Sequence, residues 1–354
     1  MKQIYGLVQV RALELRDFRR YEHALLEFPT EGVAFVGPNA AGKTSFLEAL
    51  HKVALLRGFG KEEEMVRWGK RGYRLRVRLS TGTAEVSYEQ GKGTRVVWEG
   101  EAITPLARWI GRIPVVLLRP GDSEWIEGPA AVRRRWADRL LSQVSSTYLG
   151  TLMQYERALA QRNALLGQPD STPALLDSWE ALLVETGPFL QRMRLQLAPL
   201  LEDSLRTFYG CFGPEKIHLH YKTTVDPSPE AWRKAWSHLR PKEVHVGRTL
   251  IGPHLEDFQV QLGEQPARGY ASEGQKKSLL IALKWAELQH LKGQQTFSPL
   301  LLLDDVGEKL DKPRLEALGQ LTRLAGQTFV TDVEERRVRE AFPELPIVRL
   351  PLMS

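Results

Sequence analysis

The chain has 354 residues, of which 42% are hydrophobic and 26% charged, with 49 Lys and Arg against 43 Asp and Glu and a net charge of +6. This composition is typical of a globular protein with one large or two moderate domains, and no stretch of ~18 uninterrupted apolar residues predicts a membrane span. The basic balance permits a polyanionic partner such as nucleic acid but does not require one.

The N-terminal segment and the cysteine content indicate a cytoplasmic protein. The first 21 residues alternate like a strand and lack the apolar core of a signal peptide. Cys211 is the single cysteine, which excludes an intrachain disulfide and fits a reducing compartment. Because Tyr209 and Phe212 flank it, we expect Cys211 to be a small buried hydrophobic side chain.

The first 120 residues combine strand patterns with one helix. Residues 7–36 read as strands, and a helical spacing of apolar residues begins at Lys43. Residues 73–99 alternate again around glycine turns. The apolar run at 113–118 predicts a buried strand.

Residues 122–240 have a different character, with long helical patterns that lack sustained heptads. One of these patterns contains Gly187-Pro188 and Pro199, where we expect the helix to be interrupted. The sequence therefore predicts a helical block of roughly a hundred residues rather than a long coiled coil.

The C-terminal third returns to mixed patterns. Alternation at 249–263 is followed by a strong helix from Ser272 and by an apolar run at 298–306 that contains two aspartates. A further helix and two short strands complete the chain.

A phosphate-binding loop lies between the strand and helix near the N-terminus. Gly37 is followed after four residues by Gly42-Lys43-Thr44. The glycines allow backbone N–H groups to approach phosphate oxygens, and the helix directs its positive end at them. We expect Lys43 to contact the β- and γ-phosphates of a nucleotide and Thr44 to bind Mg²⁺. The expected nucleotide-binding residues are Gly37, Pro38, Asn39, Ala40, Ala41, Gly42, Lys43, Thr44 and Ser45. The alternative, an ordinary turn before a helix, is disfavoured by this strand–loop–helix context.

The run "LLLLDD" is a candidate Walker B strand. It carries Asp304 to the carboxyl end of a buried strand, where open α/β sheets bind ligands. We expect Asp304 to hold Mg²⁺ and Asp305 to position the hydrolytic water, so that Asp304, Asp305 and Lys43 are the candidate catalytic residues. The alternative is a strand that ends in a solvated pair of aspartates.

The segment that begins at Ala271 resembles the signature of ABC-type ATPases. Its core is Ser272-Glu273-Gly274-Gln275, in which Glu273 replaces the usual glycine. In ABC-type ATPases this helix N-terminus completes the nucleotide site of a second subunit. The alternative is a capping box formed by Ser272 and Gln275.

Two further segments resemble conserved loops of the same ATPases. "GEKLD" resembles the D-loop and ends at Asp311. "FVTD" resembles the switch strand, where Thr331 or Asp332 stands in the place of a histidine.

Lys43 and Asp304 are about 260 residues apart yet serve one phosphate site. We therefore expect an α/β fold of the ABC-type ATPase head, with a mixed P-loop sheet, helices and an antiparallel β subdomain. The head would comprise residues 1–120 and 241–354, and residues 121–240 would form an inserted α-helical arm.

Longer segments extend the resemblance over nearly the whole chain. These are "LELRDFRRYEHALLEF", "VVLLRPGDSEWIEGPAAVRRRWAD", "YLGTLMQYERALAQRNALL", "TLIGPHLEDFQV" and "LLLLDDVGEKLD". Together they resemble the RecF family of bacterial recombinational-repair ATPases, which are related to SMC and Rad50 heads.

The resemblance implies an ATP-dependent homodimer that binds gapped or ss–ds junction DNA and hydrolyses ATP slowly, with stimulation by DNA. It also implies partnership with RecR and RecO, which load RecA on gaps, a role in DNA replication and fork processing, and a link to the SOS response. ATP would bridge Lys43 of one subunit and Ser272 of the other.

Two sets of arginines are candidate DNA contacts. One is Arg74, Arg76 and Arg78 on one strand face, and the other is Arg133, Arg134, Arg135 and Arg139 in a predicted helix. The alternative for both sets is a solvated charged face, and Arg133 and Arg134 also suit structural ion pairs.

Two other functions remain open on the sequence alone. One is an ABC-type ATPase subunit coupled to a membrane transporter, against which the inserted arm and the missing switch histidine argue. The other is a structural clamp with a vestigial site, against which the intact Lys43, Thr44 and Asp304 argue.

Overall fold

The structure is a computed structural model, and it describes residues 8–168, 173–294, 298–305 and 310–351. Its strands are β1 (Val10–Phe18), β2 (Tyr21–Glu27), β3 (Gly32–Val36), β4 (Gly72–Leu79), β5 (Gly82–Glu89), β6 (Gly93–Trp98), β7 (Glu101–Ala102), β8 (Val115–Leu118), β9 (Ile217–Lys222), β10 (Asp257–Leu262), β11 (Gln265–Pro266), β12 (Leu300–Asp304), β13 (Gln327–Asp332) and β14 (Ile347–Arg349). Its α-helices are α1 (Lys43–Leu55), α2 (Glu62–Met65), α3 (Glu124–Glu127), α4 (Ala130–Val144), α5 (Ser146–Leu166), α6 (Pro173–Tyr209), α7 (Pro229–Val246), α8 (Ala267–Tyr270), α9 (Glu273–Gln294), α10 (Lys312–Leu321) and α11 (Glu335–Ala341).

The chain divides into two compact units. Unit 1 comprises Met1–Asp122 and Lys277–Ser354, and unit 2 comprises Ser123–Lys276. The first division lies close to the predicted boundary at residue 120, but the second lies at 276 rather than at 240. The reason is that β9, in the predicted arm, pairs antiparallel with β10, in the predicted head. A boundary at 240 would separate two hydrogen-bonded strands.

Unit 1 is organised around helix α1, which packs between two sheets. The parallel sheet has the order β14-β3-β13-β12-β8, and the antiparallel sheet has the order β2-β1-β4-β5-β6-β7. Helix α1 contacts β8, β12 and β13 of the first sheet and β1, β4 and β5 of the second. The predicted α/β fold with an antiparallel β subdomain is confirmed, with parallel and antiparallel pairing divided between the two sheets.

The sequence of α1 explains its central position. Phe46, Leu47, Leu50 and Val53 are at most 2% exposed. A helix that is apolar over most of its surface is stable only where neighbouring elements cover it. The start of α1, and with it the phosphate-binding loop, is therefore held in place by the core.

Unit 2 contains α4 to α7 and a small sheet of order β11-β10-β9. The predicted interruptions of the long helix are wrong, because α6 continues through Pro188 and Pro199. Helix α6 contacts α5, α7 and β9, and Gly187 packs so closely on Trp232 that an added Cβ would lie 2.1 Å from the indole ring. This packing compensates for the hydrogen bonds lost at the two prolines.

The structure also tests the predicted burial of Cys211 and the predicted lack of a membrane span. Cys211 is exposed rather than buried, because it lies in the turn after α6, whose last two residues, Phe208 and Tyr209, occupy the buried positions. No described helix is long and apolar enough to cross a membrane.

Buried ion pairs hold the helices of unit 2 together. Arg162 on α5 is fully buried and donates to Glu180 of α6 at 2.7 Å and to Glu243 of α7 at 2.6 Å. It also donates to Thr249 Oγ1 at 2.7 Å. Removing one partner of such a pair leaves an uncompensated buried charge, at a cost of about 3–5 kcal/mol. Arg162 therefore specifies how three helices meet.

A largely buried histidine makes the stability of unit 2 depend on pH. His254 Nδ1 lies 2.7 Å from the Tyr155 hydroxyl oxygen, and burial lowers the pKa of His254 to about 4. The unfolded chain, with a His pKa of about 6.5, therefore binds the proton first as the pH falls. The stability that the neutral side chain supports is lost between about pH 6.5 and pH 4.

We predict that lowering the pH from 7.5 to 5 costs the native chain about 2 kcal/mol more unfolding free energy than it costs the variant His254→Asn, which cannot be protonated in this range. Urea unfolding of both proteins at the two pH values measures the difference. Equal losses in the native chain and the variant would exclude His254 as the titrating group.

Candidate functional site

The phosphate-binding loop connects β3 to α1, and space as well as conformation requires its glycines. Gly42 has φ +94°, a backbone conformation that favours glycine. A Cβ at Gly42 would lie 2.4 Å from the Tyr21 hydroxyl, and a Cβ at Gly37 would lie 2.3 Å from the Leu350 carbonyl oxygen. The loop can therefore close only with glycine at both positions.

Lys43 folds back over the loop. Its Nζ donates to the carbonyl oxygens of Gly37 at 2.7 Å and of Pro38 at 3.0 Å, and the residue is only 7% exposed. An ammonium group in this position is ready to contact phosphate oxygens seated in the loop.

Thr44 and Asp304 bring the two ends of unit 1 together. The Thr44 hydroxyl donates to Asp304 Oδ1 at 2.8 Å, and the Thr331 hydroxyl donates to the same oxygen at 2.8 Å. Asp304 and Thr331 are paired across β12 and β13, so the parallel sheet places both at one edge. A hydroxyl and a carboxylate at this edge are the oxygen ligands that Mg²⁺ takes beside nucleotide phosphates, so these residues fit the ion.

Asp305 lies at the mouth of the site. Its backbone N–H donates to Thr331 Oγ1 at 2.9 Å, which fixes the backbone next to Asp304. A pocket of ≈ 280 Å³ opens here. Its lining residues are Arg19, Arg20, Asn39, Ala40, Ala41, Gly42, Lys43, Thr44, Ser45 and Asp305. The structure thus places residues 39–45 of the predicted loop and Asp305 around one cavity, whereas Gly37 and Pro38 do not line it. Asp304 is buried and contacts Thr44.

Three residues at the β1–β2 connection contact the loop or the helix after it and were not predicted from the sequence. Arg19 donates two hydrogen bonds to the carboxylate of Glu48, at 2.6 and 2.7 Å. Arg20 donates to the Ala40 carbonyl, and the Tyr21 hydroxyl donates to the Ala41 carbonyl at 3.3 Å. The sequence does show Arg19 and Arg20 in a tight turn between two alternating segments. Alternation predicts the two strands, but it does not predict which other segment the turn contacts.

The predicted signature lies in unit 2 and forms the N-terminus of α9. The Ser272 N–H donates to Gln275 Oε1 at 2.8 Å, and the Gln275 N–H donates to Ser272 Oγ at 3.2 Å. The capping-box alternative therefore describes this segment within one chain. Ser272 and Glu273 are exposed, as contact with a second copy requires.

The predicted D-loop is described only in part, and the predicted switch strand has two candidate residues with different contacts. Gly307 and Glu308 of the predicted D-loop lie outside the described residues. Asp311 caps α10 by accepting the Arg314 N–H at 3.3 Å. Of the two candidates for the switch position, Thr331 contacts Asp304, whereas Asp332 pairs with Arg337 at 3.1 Å.

The arginines predicted on one strand face do lie together on β4. Their side chains are all more than half exposed, and each has an acidic neighbour across the sheet. The pairs are Arg74–Glu85 at 3.4 Å, Arg76–Glu85 at 3.5 Å and Arg78–Glu27 at 2.6 Å. Exposed pairs of this kind contribute about 0–1 kcal/mol each, so a phosphate can replace the carboxylate at little cost.

The four arginines predicted as DNA contacts on α4 differ in burial. Arg133 is 5% exposed. It pairs with both oxygens of Asp257, at 2.7 and 3.0 Å, and its remaining nitrogen donates to backbone carbonyls. The DNA-contact prediction is therefore wrong for Arg133, because the side chain is buried and each of its three nitrogens donates inside unit 2. Arg134 donates to the Glu256 carbonyl at 2.7 Å, whereas Arg135 and Arg139 are exposed.

No family model matches the chain. Curated proteins and solved structures similar to it are, however, consistent with the predicted family. The DNA replication and repair protein RecF of Symbiobacterium thermophilum is 34% identical over 347 residues, which cover 93% of this chain and 92% of that protein. A solved structure of the recombination mediator protein RecF with ATP, in the RecFOR pathway, has a TM-score of 0.88 at 25% identity and covers 95% of this chain and 94% of that chain.

A solved SMC head bound to the C-winged helix domain of ScpA has a TM-score of 0.55 at 11% identity, over 97% of this chain and 94% of that chain. This second likeness concerns the fold alone and confirms the predicted SMC-like ATPase head. With the phosphate-binding loop, the Walker B strand and a relative 34% identical over nearly the whole length, the chain belongs to the RecF family.

Proposed function

We propose that the chain is an ATP-operated switch in recombinational DNA repair. Binding of ATP and Mg²⁺ closes a homodimer on gapped or ss–ds junction DNA. The dimer then works in the cytoplasm with RecR and RecO to load RecA. The hydrogen bond from Thr44 to Asp304 carries the proposal, because it joins the phosphate-binding loop to a candidate metal-binding carboxylate in a member of the RecF family. The name of the S. thermophilum relative and the ATP-bound RecF structure support it. Family membership leaves the transporter-coupled alternative without support.

The nucleotide site is the part of the proposal that the geometry supports most directly. Lys43 and the N-terminus of α1 would hold the β- and γ-phosphates. Thr44 and Asp304 would hold Mg²⁺, which supplies charge neutralisation at the transferred phosphoryl group. Arg20, positioned over the loop by its bond to Ala40, would add a cation on the open side of the pocket.

The second half of the site would come from another copy of the chain. The exposed Ser272 offers a hydroxyl and a helix N-terminus to the γ-phosphate held by the first copy. Binding energy shared between two copies favours the closed dimer, and hydrolysis removes the bridge. Because Asp305 is one methylene shorter than Glu, it would hold the attacking water less closely, which favours slow turnover.

We predict that Lys43→Met lowers ATP affinity at least ~10-fold, since it removes charge-assisted hydrogen bonds to phosphate. The variant should lose both ATP-dependent dimerisation, measured by light scattering, and ATP-dependent binding of gapped DNA, measured by fluorescence anisotropy. Lys234→Met, an exposed lysine on α7, is the matched control. If neither dimerisation nor DNA binding of the native chain depends on ATP, the switch proposal fails.

Asp305→Asn should bind ATP within about threefold of the native affinity but hydrolyse it at least ~100-fold more slowly, because the amide is not a base. Asp305→Glu retains a carboxylate and should hydrolyse ATP at the native rate or faster. Steady-state phosphate release with DNA present measures both. Native turnover by Asp305→Asn would assign the catalytic carboxylate elsewhere.

Salt titration of DNA affinity tests the two arginine faces. Arg76→Ala on β4 or Arg135→Ala on α4 should each lower the slope of log K against log salt by about one if the side chain contacts a phosphate. Arg206→Ala, an exposed arginine on α6, is the control. A slope equal to that of the native chain excludes the face in question.

A further inference from the structure

A tryptophan stands almost fully in solvent between α2 and β4. The Trp68 side chain is 97% exposed. The Lys70 N–H donates to the Arg67 carbonyl at 3.0 Å, and Gly69 has φ +78°, which together describe a tight turn whose third residue favours glycine. The Arg67 N–H also donates to the Asp17 carbonyl at 2.8 Å. A defined, anchored backbone therefore presents the indole to solvent.

Cationic residues flank Trp68 in the sequence. Residues Arg67–Arg71, here called the Trp68 turn, contain three positive side chains in five residues. Arg67 pairs with Glu22 at 3.0 Å and Lys70 with Asp17 at 3.6 Å. Both pairs are solvent-accessible, so they hold the cations in place at a cost small enough for a phosphate to compete.

An open groove of ≈ 650 Å³ adjoins the Trp68 turn on the antiparallel sheet. Asp17 belongs to both, because it pairs with Lys70 and lines the groove. Its cationic lining residues are Arg16, Arg74, Lys92 and Arg95, and its acidic ones are Asp17, Glu85 and Glu89. When the turn and the ion-pair partners Glu14 and Glu22 are included, this surface has seven cations and five carboxylates. The surface is positive and continuous with an exposed aromatic ring.

This combination fits single-stranded nucleic acid better than a protein. The centres of protein–protein interfaces are depleted in Lys, Asp and Glu, whereas the turn and the groove contain Lys70, Lys92 and several carboxylates. Proteins that hold single strands combine a cationic groove along the backbone with aromatic rings on which bases stack. Within a duplex the faces of the bases are already stacked, so the ring distinguishes an unpaired base from a paired one.

We propose that Trp68 stacks on an unpaired base of single-stranded DNA whose phosphates follow the cationic groove. This inference rests on the proposed DNA-binding function and assigns a residue to the single-stranded side of the junction. No step of ATP binding depends on it.

The experiment uses the full chain saturated with ATP and a duplex with a single-stranded gap that carries 2-aminopurine. Trp68→Ala should weaken binding of the gapped DNA about tenfold, with affinity for the intact duplex and the salt slope unchanged. Trp68→Phe should retain most of the affinity because phenyl rings also stack. 2-Aminopurine emission should be quenched by the native chain and by Trp68→Phe, but not by Trp68→Ala. Leu25→Ala, an exposed apolar residue on β2, is the control, and thermal unfolding checks that each variant is folded.

The outcomes separate this inference from the function on which it rests. If the native chain does not bind gapped DNA, the proposed function fails. If the native chain binds and Trp68→Ala binds equally well, Trp68 has no stacking role. If Trp68→Ala lowers the affinity for gapped and intact DNA equally, stacking on an unpaired base is also overturned. The same holds if Trp68→Ala binds DNA with native affinity but no longer binds a partner protein.

Discussion

The hydrogen bond between Thr44 and Asp304 is the contact on which the candidate site depends. It joins the first turn of α1 to the end of β12, two segments 260 residues apart. The bond forms because only six residues separate the end of β3 from the start of α1, so the helix begins at the carboxyl edge of the parallel sheet. Thr331 donates to the same carboxylate oxygen and thereby ties a third segment to this edge. Core packing therefore orients the groups that would meet phosphate and metal.

Unit 2 is stabilised in a different way. Its core contains arginines that are fully paired, including Arg133 with Asp257 and Arg162 with Glu180 and Glu243. The segment 249–257 supplies partners to two helices, since Thr249 accepts from Arg162 of α5 and Asp257 pairs with Arg133 of α4. Buried pairs of this kind add little net stability but penalise alternative packings, because each would leave a charge without a partner. We infer that they define the arrangement of helices within this unit.

Residue spacing predicted the phosphate-binding loop, the Walker B aspartates and the alternation of β4, because each of these signals is local. It did not predict that Arg20 covers the loop or that Thr331 contacts Asp304, since both depend on which strands are neighbours. The difference in burial between Arg133 and Arg135 also depends on neighbouring segments. Both are arginines on one helix, and only the position of Asp257 makes the first a buried structural residue and the second an exposed one.

The sequence by itself determined the chemistry available to this protein: glycines at 37 and 42, the lysine and hydroxyl that follow them, and two aspartates after an apolar strand. Covalent spacing along one strand or one helical turn is sufficient to specify those features. The tertiary structure alone decided that β9 pairs with β10 and so moves the unit boundary to residue 276. It also decided which arginines are buried and that Trp68 is left in solvent, because burial depends on contacts between segments far apart in the chain.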